Sequence, residues 1–213
     1  ATLNTACATD GLLIRATGGA AAAAARPVSL IYRRSSEACD AILHHCIRVE
    51  PGASLTVLEN GPGASRLSTV MEVEVAEGGS FHHIRAQGRD HERHGITHVF
   101  ARVAAQARFK SFTLTANGRL TRNETVVELA GAAAVAHVAG ATVGDGAFQH
   151  DDTVFVTHAA PGCESRQVFK NVLRNGAVGV FQGKILVRQP AQKTDGYQIS
   201  QALLMDGDSQ FLA

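Results

Sequence analysis

One pattern recurs along this chain: a glycine or other small residue in a polar turn, then a run that alternates apolar and polar side chains. It is written as "PGASLTVLEN" from Pro51, "EGGSFHHIRAQ" from Glu77, "AQARFKSFTLT" from Ala105, "AGAAAVAHVAG" from Ala130, "NGAVGVFQGKI" from Asn175 and "DGDSQFLA" from Asp206. The turn residues stand at 52, 78, 107, 131, 176 and 207, and the widest gap holds a further candidate, "PGCESRQVF" from Pro161. Repetition at roughly 20 to 50 residues without intervening helices is the signature of a solenoid or a propeller. Gly, Asn and Asp accept the positive-φ conformations of tight corners, while Val, Ile, Leu and Phe at alternate positions face an interior shared with the coils above and below. The fold is therefore expected to be all-β, a β-solenoid of stacked short strands. A β-sandwich also has short strands and turns, so the repeated turn chemistry is what favours the solenoid.

Short β-branched or alternating runs support it: Leu12 to Ile14, Val28 to Tyr32, Leu55 to Leu58, Thr69 to Val75, Phe109 to Leu114, Thr125 to Leu129, Val154 to Val156 and Val178 to Val187. The one candidate helix, Ala20 to Ala25, is flanked by glycines and Pro27 and is read as a loop. With 213 residues and 45% hydrophobic content the chain can bury a sizeable core, and 1–213 is read as a single domain.

Twenty basic against 19 acidic side chains leave a net charge of +1, so no global field draws nucleic acid or an anionic membrane. The chain has no Trp and only two Tyr, which weighs against sugar or nucleobase platforms. Cys7, Cys39, Cys46 and Cys163 lack CxxC spacing, and no signal peptide or membrane-length apolar run is present, so reduced thiols in a cytoplasmic protein are expected.

Three stretches invite chemistry. "GVFQGKI", Gly179 to Ile185, suggests a phosphate loop, but three residues rather than four separate its glycines, Ile185 takes the hydroxyl position, and a strand follows. "FHHIRAQGRDHERHGITH" concentrates His82, His83, His91, His94 and His98. His91-Glu92-Arg93-His94 is one residue short of a zincin motif, and adjacent His82 and His83 on a strand point to opposite faces, so a solvated loop is favoured over a metal site. "HDDTVFVTHAAPGCESRQVFKNVL" offers His150, Asp151, Asp152, His158 and Cys163 as ligands, with His158 the weak metal candidate. The plainer reading is two strands joined by the turn Ala160-Pro161-Gly162. Neighbouring Asp151 and Asp152 diverge on a strand, which disfavours the alternative function, a β-helical polysaccharide-active enzyme with converging carboxylates.

Two motifs carry a resemblance: "THAAPGCESRQVFKNVL", Thr157 to Leu173, and "GVFQGKILVRQPAQKTDGYQISQALLMDGDSQ", Gly179 to Gln210. They resemble the SufD branch of the SufB/SufD family of iron–sulfur cluster assembly proteins. The family's His-Ala-Ala-Pro, Ser-Arg, Phe-Gln-Gly-Lys and Ala-Gln-Lys-Thr-Asp elements fall on His158, Pro161, Ser165, Arg166, Phe181, Gln182, Gly183, Lys184, Gln192, Thr194 and Asp195. The resemblance implies a right-handed β-helix in which these positions are structural. It implies a non-catalytic scaffold that pairs with SufB-like and SufC-like subunits, with the SufC-like ATPase supplying ATP hydrolysis, and a homodimer when partners are missing. Neither nucleic acid nor a membrane is an implied partner. No catalytic residue and no bound cofactor are implied for this stretch; a transient iron–sulfur cluster and FAD belong to the complete complex. The family's flanking helical regions and its Cys-Ser-His segment find no counterpart here, and none of the four cysteines matches that segment's cysteine.

Overall fold

In the computed structural model, which describes residues 2–18, 26–33, 36, 38–60, 65–88 and 92–213, the chain winds as a parallel β-solenoid of about 6 turns. Each turn gives one strand to each of two sheets. The first sheet stacks β1 (Leu13–Ala16), β3 (Asp40–Val49), β5 (Arg66–Val75), β7 (His94–Val103), β9 (Leu120–Leu129), β11 (Gln149–His158), β13 (Val178–Val187) and β15 (Gln210–Leu212). The second stacks β2 (Val28–Ile31), β4 (Ser54–Asn60), β6 (Ser80–Gly88), β8 (Arg108–Ala116), β10 (Val135–Asp145), β12 (Glu164–Arg174) and β14 (Asp195–Leu204). Because the chain alternates between sheets, every pairing is parallel, and residues such as Cys46 and Glu72, or Glu59 and Arg85, become direct neighbours across coils.

The corners explain the spacing of the sequence pattern. At the corner leading from the first sheet to the second, Gly52, Gly78, Gln106, Ala133, Gly162 and Lys193 all take positive φ. Their amides form a ladder from coil to coil: Gly52 N–H to Glu77 O, Gly78 to Ala105, Gln106 to Ala132, Ala133 to Pro161 and Gly162 to Gln192, at 2.9 to 3.0 Å. Gly176, with Gly118 and Gly146, belongs to the opposite corner. The turn residues read as one series are thus drawn from two corners, which is why their gaps are uneven. Gly131 has a different task, since a Cβ there would lie 2.1 Å from the Ala105 backbone nitrogen.

Between the sheets the interior divides in two. Next to the first corner it is apolar: Val49, Val75, Val103 and Leu129 face Leu55, Phe81, Phe109 and Ala136, all buried. Phe81 and Phe109 stack at 5.7 Å. Toward the second corner it is polar, a division the alternation alone does not announce.

The helix α1 (Thr2–Cys7) lies against the outer face of the first sheet, where Asn4 Nδ2 donates to the carbonyls of Leu43 at 3.3 Å and Ser68 at 3.0 Å. It went unread because one and a half turns carry too few apolar positions to show a period. Ala20 to Ala25 lies outside the described residues.

Candidate functional site

The polar half of the interior is the most chemically organised part of the molecule. Glu59, at the end of β4, accepts three hydrogen bonds: from Tyr32 Oη at 2.9 Å, His83 Nε2 at 2.8 Å and Arg85 Nε at 2.8 Å. Its side chain and that of Arg85 are each 4% exposed. Burial alone would raise the Glu59 carboxyl, but Arg85 and His83 outweigh it and hold the group well below the ordinary carboxylate range. Burial moves His83 and His45 the other way, below the ordinary imidazole range, so both are neutral. Their tautomers follow from their partners. His45 Nδ1 accepts from the Leu12 amide at 3.2 Å, leaving Nε2–H for Tyr32 Oη at 3.0 Å; His83 Nε2–H donates to Glu59, leaving Nδ1 to accept from Ser111 at 3.1 Å.

From Arg85 the chain of bonds runs on through the coils. Arg85 Nη1 donates to Thr97 Oγ1 at 2.8 Å, Thr97 to Asn123 Oδ1 at 2.7 Å, and Asn123 Nδ2 to Asp152 Oδ1 at 3.2 Å. Asp152 Oδ2 meets His150 Nε2 at 2.8 Å, and Gln87 and Thr115 join from the side. Thr97, Asn123 and Asp152 occupy one register column of the first sheet, so a single inward position on each strand builds the path. Its members are buried; such a network fixes which coil stacks on which, because a slip of one residue would leave charged groups unpaired.

The motif positions gather at β11 to β14. His158 is fully buried, its Nε2 2.9 Å from Ser165 Oγ across the corner, and burial pushes its imidazole below the ordinary range, with Asp195 opposing. Arg166 Nη2 donates to Asp195 Oδ2 at 2.6 Å and lies over the Tyr197 ring, 6.0 Å from its centre. Phe181 packs inward on Phe169 at 4.9 Å, and a Cβ on Gly183 would meet the Gln198 side chain at 2.3 Å. Gln182 and Lys184 face outward and are exposed. Pro161 and Gln192 supply carbonyls to the corner ladder, Gln192 Nε2 also donates to Gln189 O at 2.7 Å, and Thr194 is half-buried beside Asp195. Along β13 burial fades toward its end: Phe181 is buried and Ile185 half-buried, but Val187 is 49% exposed.

The remaining candidates separate. His82 and His83 do face opposite ways, the first half-buried and the second fully buried; His94 and His98 lie on β7, and His91 is outside the described residues. Asp151 points outward to Thr153 and Arg122 while Asp152 points inward. Cys163 is buried with Sγ 3.3 Å from Gly131 O. His150, Asp152, His158 and Cys163 therefore form no common ligand set. What the sequence reading missed is Tyr32, His45, Glu59 and Arg85; the available signal was charge at the inward phase of otherwise apolar alternation, as in "SLTVLEN" and "SFHHIRAQG".

A parallel β-solenoid with a sealed polar interior and ion-paired coils defines the class: a stacked-coil protein whose chemistry is turned inward. Residues 32–213 match the family described as SUF system FeS cluster assembly, SufBD core domain, and the chain belongs to that family. It is 24% identical over 188 residues to an iron–sulfur cluster assembly SufBD family protein of Mycobacterium tuberculosis, covering 84% of this chain and 47% of that protein. It is 25% identical over 165 residues to the iron–sulfur cluster assembly protein SufD of Escherichia coli, covering 76% of this chain and 39% of that one. The chain thus spans about half the length, or less, of these curated relatives.

Proposed function

We propose that the chain is the β-helical core of a SufD-like scaffold subunit, non-catalytic itself, that pairs with SufB-like and SufC-like subunits in iron–sulfur cluster assembly. The observation that carries the reading is the family match across 32–213, which takes in every complete coil from β3 onward. The surface suits a scaffold. Arg48 and Glu74, Arg102 and Glu128, and Arg174 and Asp145 pair between successive coils on the exposed surface, adding modestly to a stack held by its parallel backbone ladders and core. No observation favours the polysaccharide reading, since Asp151 and Asp152 lie on opposite sides of β11.

The test is coexpression with the SufB-like and SufC-like subunits of the same organism. The expected result is a stable ternary complex in which ATP hydrolysis by the SufC-like subunit rises and clusters form on supplied iron and sulfide. Failure to bind either subunit, with cleavage of a sugar polymer instead, would sink the scaffold reading.

A further inference from the structure

Outside the interior network, three side chains of different chemistry converge on the outer face of the first sheet. His44 and Cys46 sit two residues apart on β3 and so project to the same side, and Glu72 on β5 is the direct register partner of Cys46. One ligand atom from each, an imidazole nitrogen, Sγ and a carboxylate oxygen, lies within 4.8 Å of the other two. Among the described residues this is the one group of three or more His, Cys, Asp and Glu side chains so placed. We propose that His44, Cys46 and Glu72 bind a divalent transition-metal ion of borderline softness, such as Zn²⁺, with a fourth position open to water or a ligand.

The donor set selects the ion. Thiolate and imidazole together disfavour Mg²⁺ and Ca²⁺, which take oxygen, whereas a mixed S, N and O set suits Zn²⁺ and its neighbours. A tetrahedral zinc centre holds its nitrogen and sulfur ligands about 3.5 Å apart, given bonds of about 2.0 and 2.3 Å, so only small side-chain rotations are needed to close the present arrangement. The surroundings favour it. Glu50, Glu74 and Glu128 on the same face each bond an arginine, but Glu72 Oε1 is 3.2 Å from His44 Nε2. On the far side of the ring His44 Nδ1 is 3.5 Å from Thr5 Oγ1 of α1. When an ion takes Nε2, the ring proton sits on Nδ1 and Thr5 accepts it, which sets the tautomer and the ring plane. The thiol proton of Cys46 leaves to solvent. Cys46 and Glu72 also line a groove of about 690 Å³ with Leu13, Phe100 and Val126, and this groove gives the fourth position access.

This site is independent of the scaffold reading, and Co²⁺ tests it directly. Titrated anaerobically into the reduced protein, Co²⁺ is expected to give a thiolate-to-cobalt charge-transfer band saturating at one equivalent and displaced by Zn²⁺. Cys46→Ser should abolish the band, His44→Ala and Glu72→Gln should each weaken binding by about 10-fold or more, and Cys7→Ser and Cys39→Ser should leave it intact. Zn²⁺ should also raise the melting temperature of the parent protein but not of Cys46→Ser, a readout that needs no spectrum. No band at one equivalent, or a band that survives Cys46→Ser and vanishes in a Cys7 or Cys39 variant, overturns the assignment.

Discussion

Glu59 and Arg85 are direct register partners on neighbouring coils of the second sheet, joined at 2.8 Å inside the solenoid with neither side chain more than 4% exposed. A buried pair of this kind adds little net stability over an apolar pair, but leaving one member alone is costly. Arg85→Met should therefore destabilise the protein by about 3–5 kcal/mol, because the Glu59 carboxylate keeps its burial and loses its cation. Adding Glu59→Gln to Arg85→Met should recover about 1 kcal/mol or more, since a neutral amide removes the unpaired charge while its oxygen accepts from His83 and its nitrogen donates to Tyr32 Oη. Urea denaturation of the two variants measures both steps; a double variant less stable than Arg85→Met alone would mean that the charge is not what the site requires.

The same cluster sets the response to acid. His83 and His45 have folded values depressed by burial, so the unfolded chain takes up protons that the folded one refuses once the pH falls through the ordinary histidine range near 6.5. Their contribution is complete above that range and is lost on acidification. Glu59 is also depressed, so its contribution is present above the ordinary carboxylate value near 4.5 and declines below it. Stability should be flat between about pH 7 and pH 8, fall by up to about 1.4 kcal/mol per pH unit for each of these histidines from about pH 6.5 downward, and steepen below about pH 4.5. Melting temperatures from pH 8 to pH 4 check this; stability that rises between pH 7 and pH 5 would contradict it.

The solenoid was legible because its period is written in local chemistry: turn residues that tolerate positive φ and strands whose two faces alternate. The division of the interior was harder to read. Glu59, Arg85, Asn123 and Asp152 occupy inward phases, yet whether such residues meet one another depends on register between strands more than 20 residues apart, which no local pattern encodes. His44, Cys46 and Glu72 were hidden for the same reason, because Glu72 reaches Cys46 only through the β3–β5 pairing. His158 and Ser165 could be found from motif spacing, but their hydrogen bond across the corner could not.

The corner ladder offers a matched pair of substitutions. Ala133 holds φ at 57° and Gly52 holds 67° at equivalent corner positions, and a Cβ on Gly52 would meet nothing within 4 Å. A left-handed conformation costs a non-glycine residue roughly 1–2 kcal/mol, offset by the about 0.4–1 kcal/mol of unfolded-state freedom that glycine adds. Ala133→Gly should then stabilise by about 0.5–1 kcal/mol and Gly52→Ala should destabilise by a similar amount. Thermal melts of the two variants should shift in opposite directions, and a shift in the same direction would show that packing rather than backbone conformation governs this corner.

His158 is the motif residue whose role most needs separating from chemistry. It is fully buried, its Nε2 serves Ser165 Oγ, and among the described residues it joins no group of potential metal ligands. His158→Ala opens a cavity and strands a buried hydroxyl, so a loss of about 2–4 kcal/mol is expected. Ser165→Ala in the same background removes the stranded hydroxyl and should cost little more, or recover part of the loss. If the histidine is structural, cluster assembly by the proposed complex with SufB-like and SufC-like subunits, measured well below the melting temperature, should match the parent for both variants. A complex that is folded and correctly assembled yet makes no clusters with His158→Ala would instead place this imidazole in the transfer of iron or sulfur.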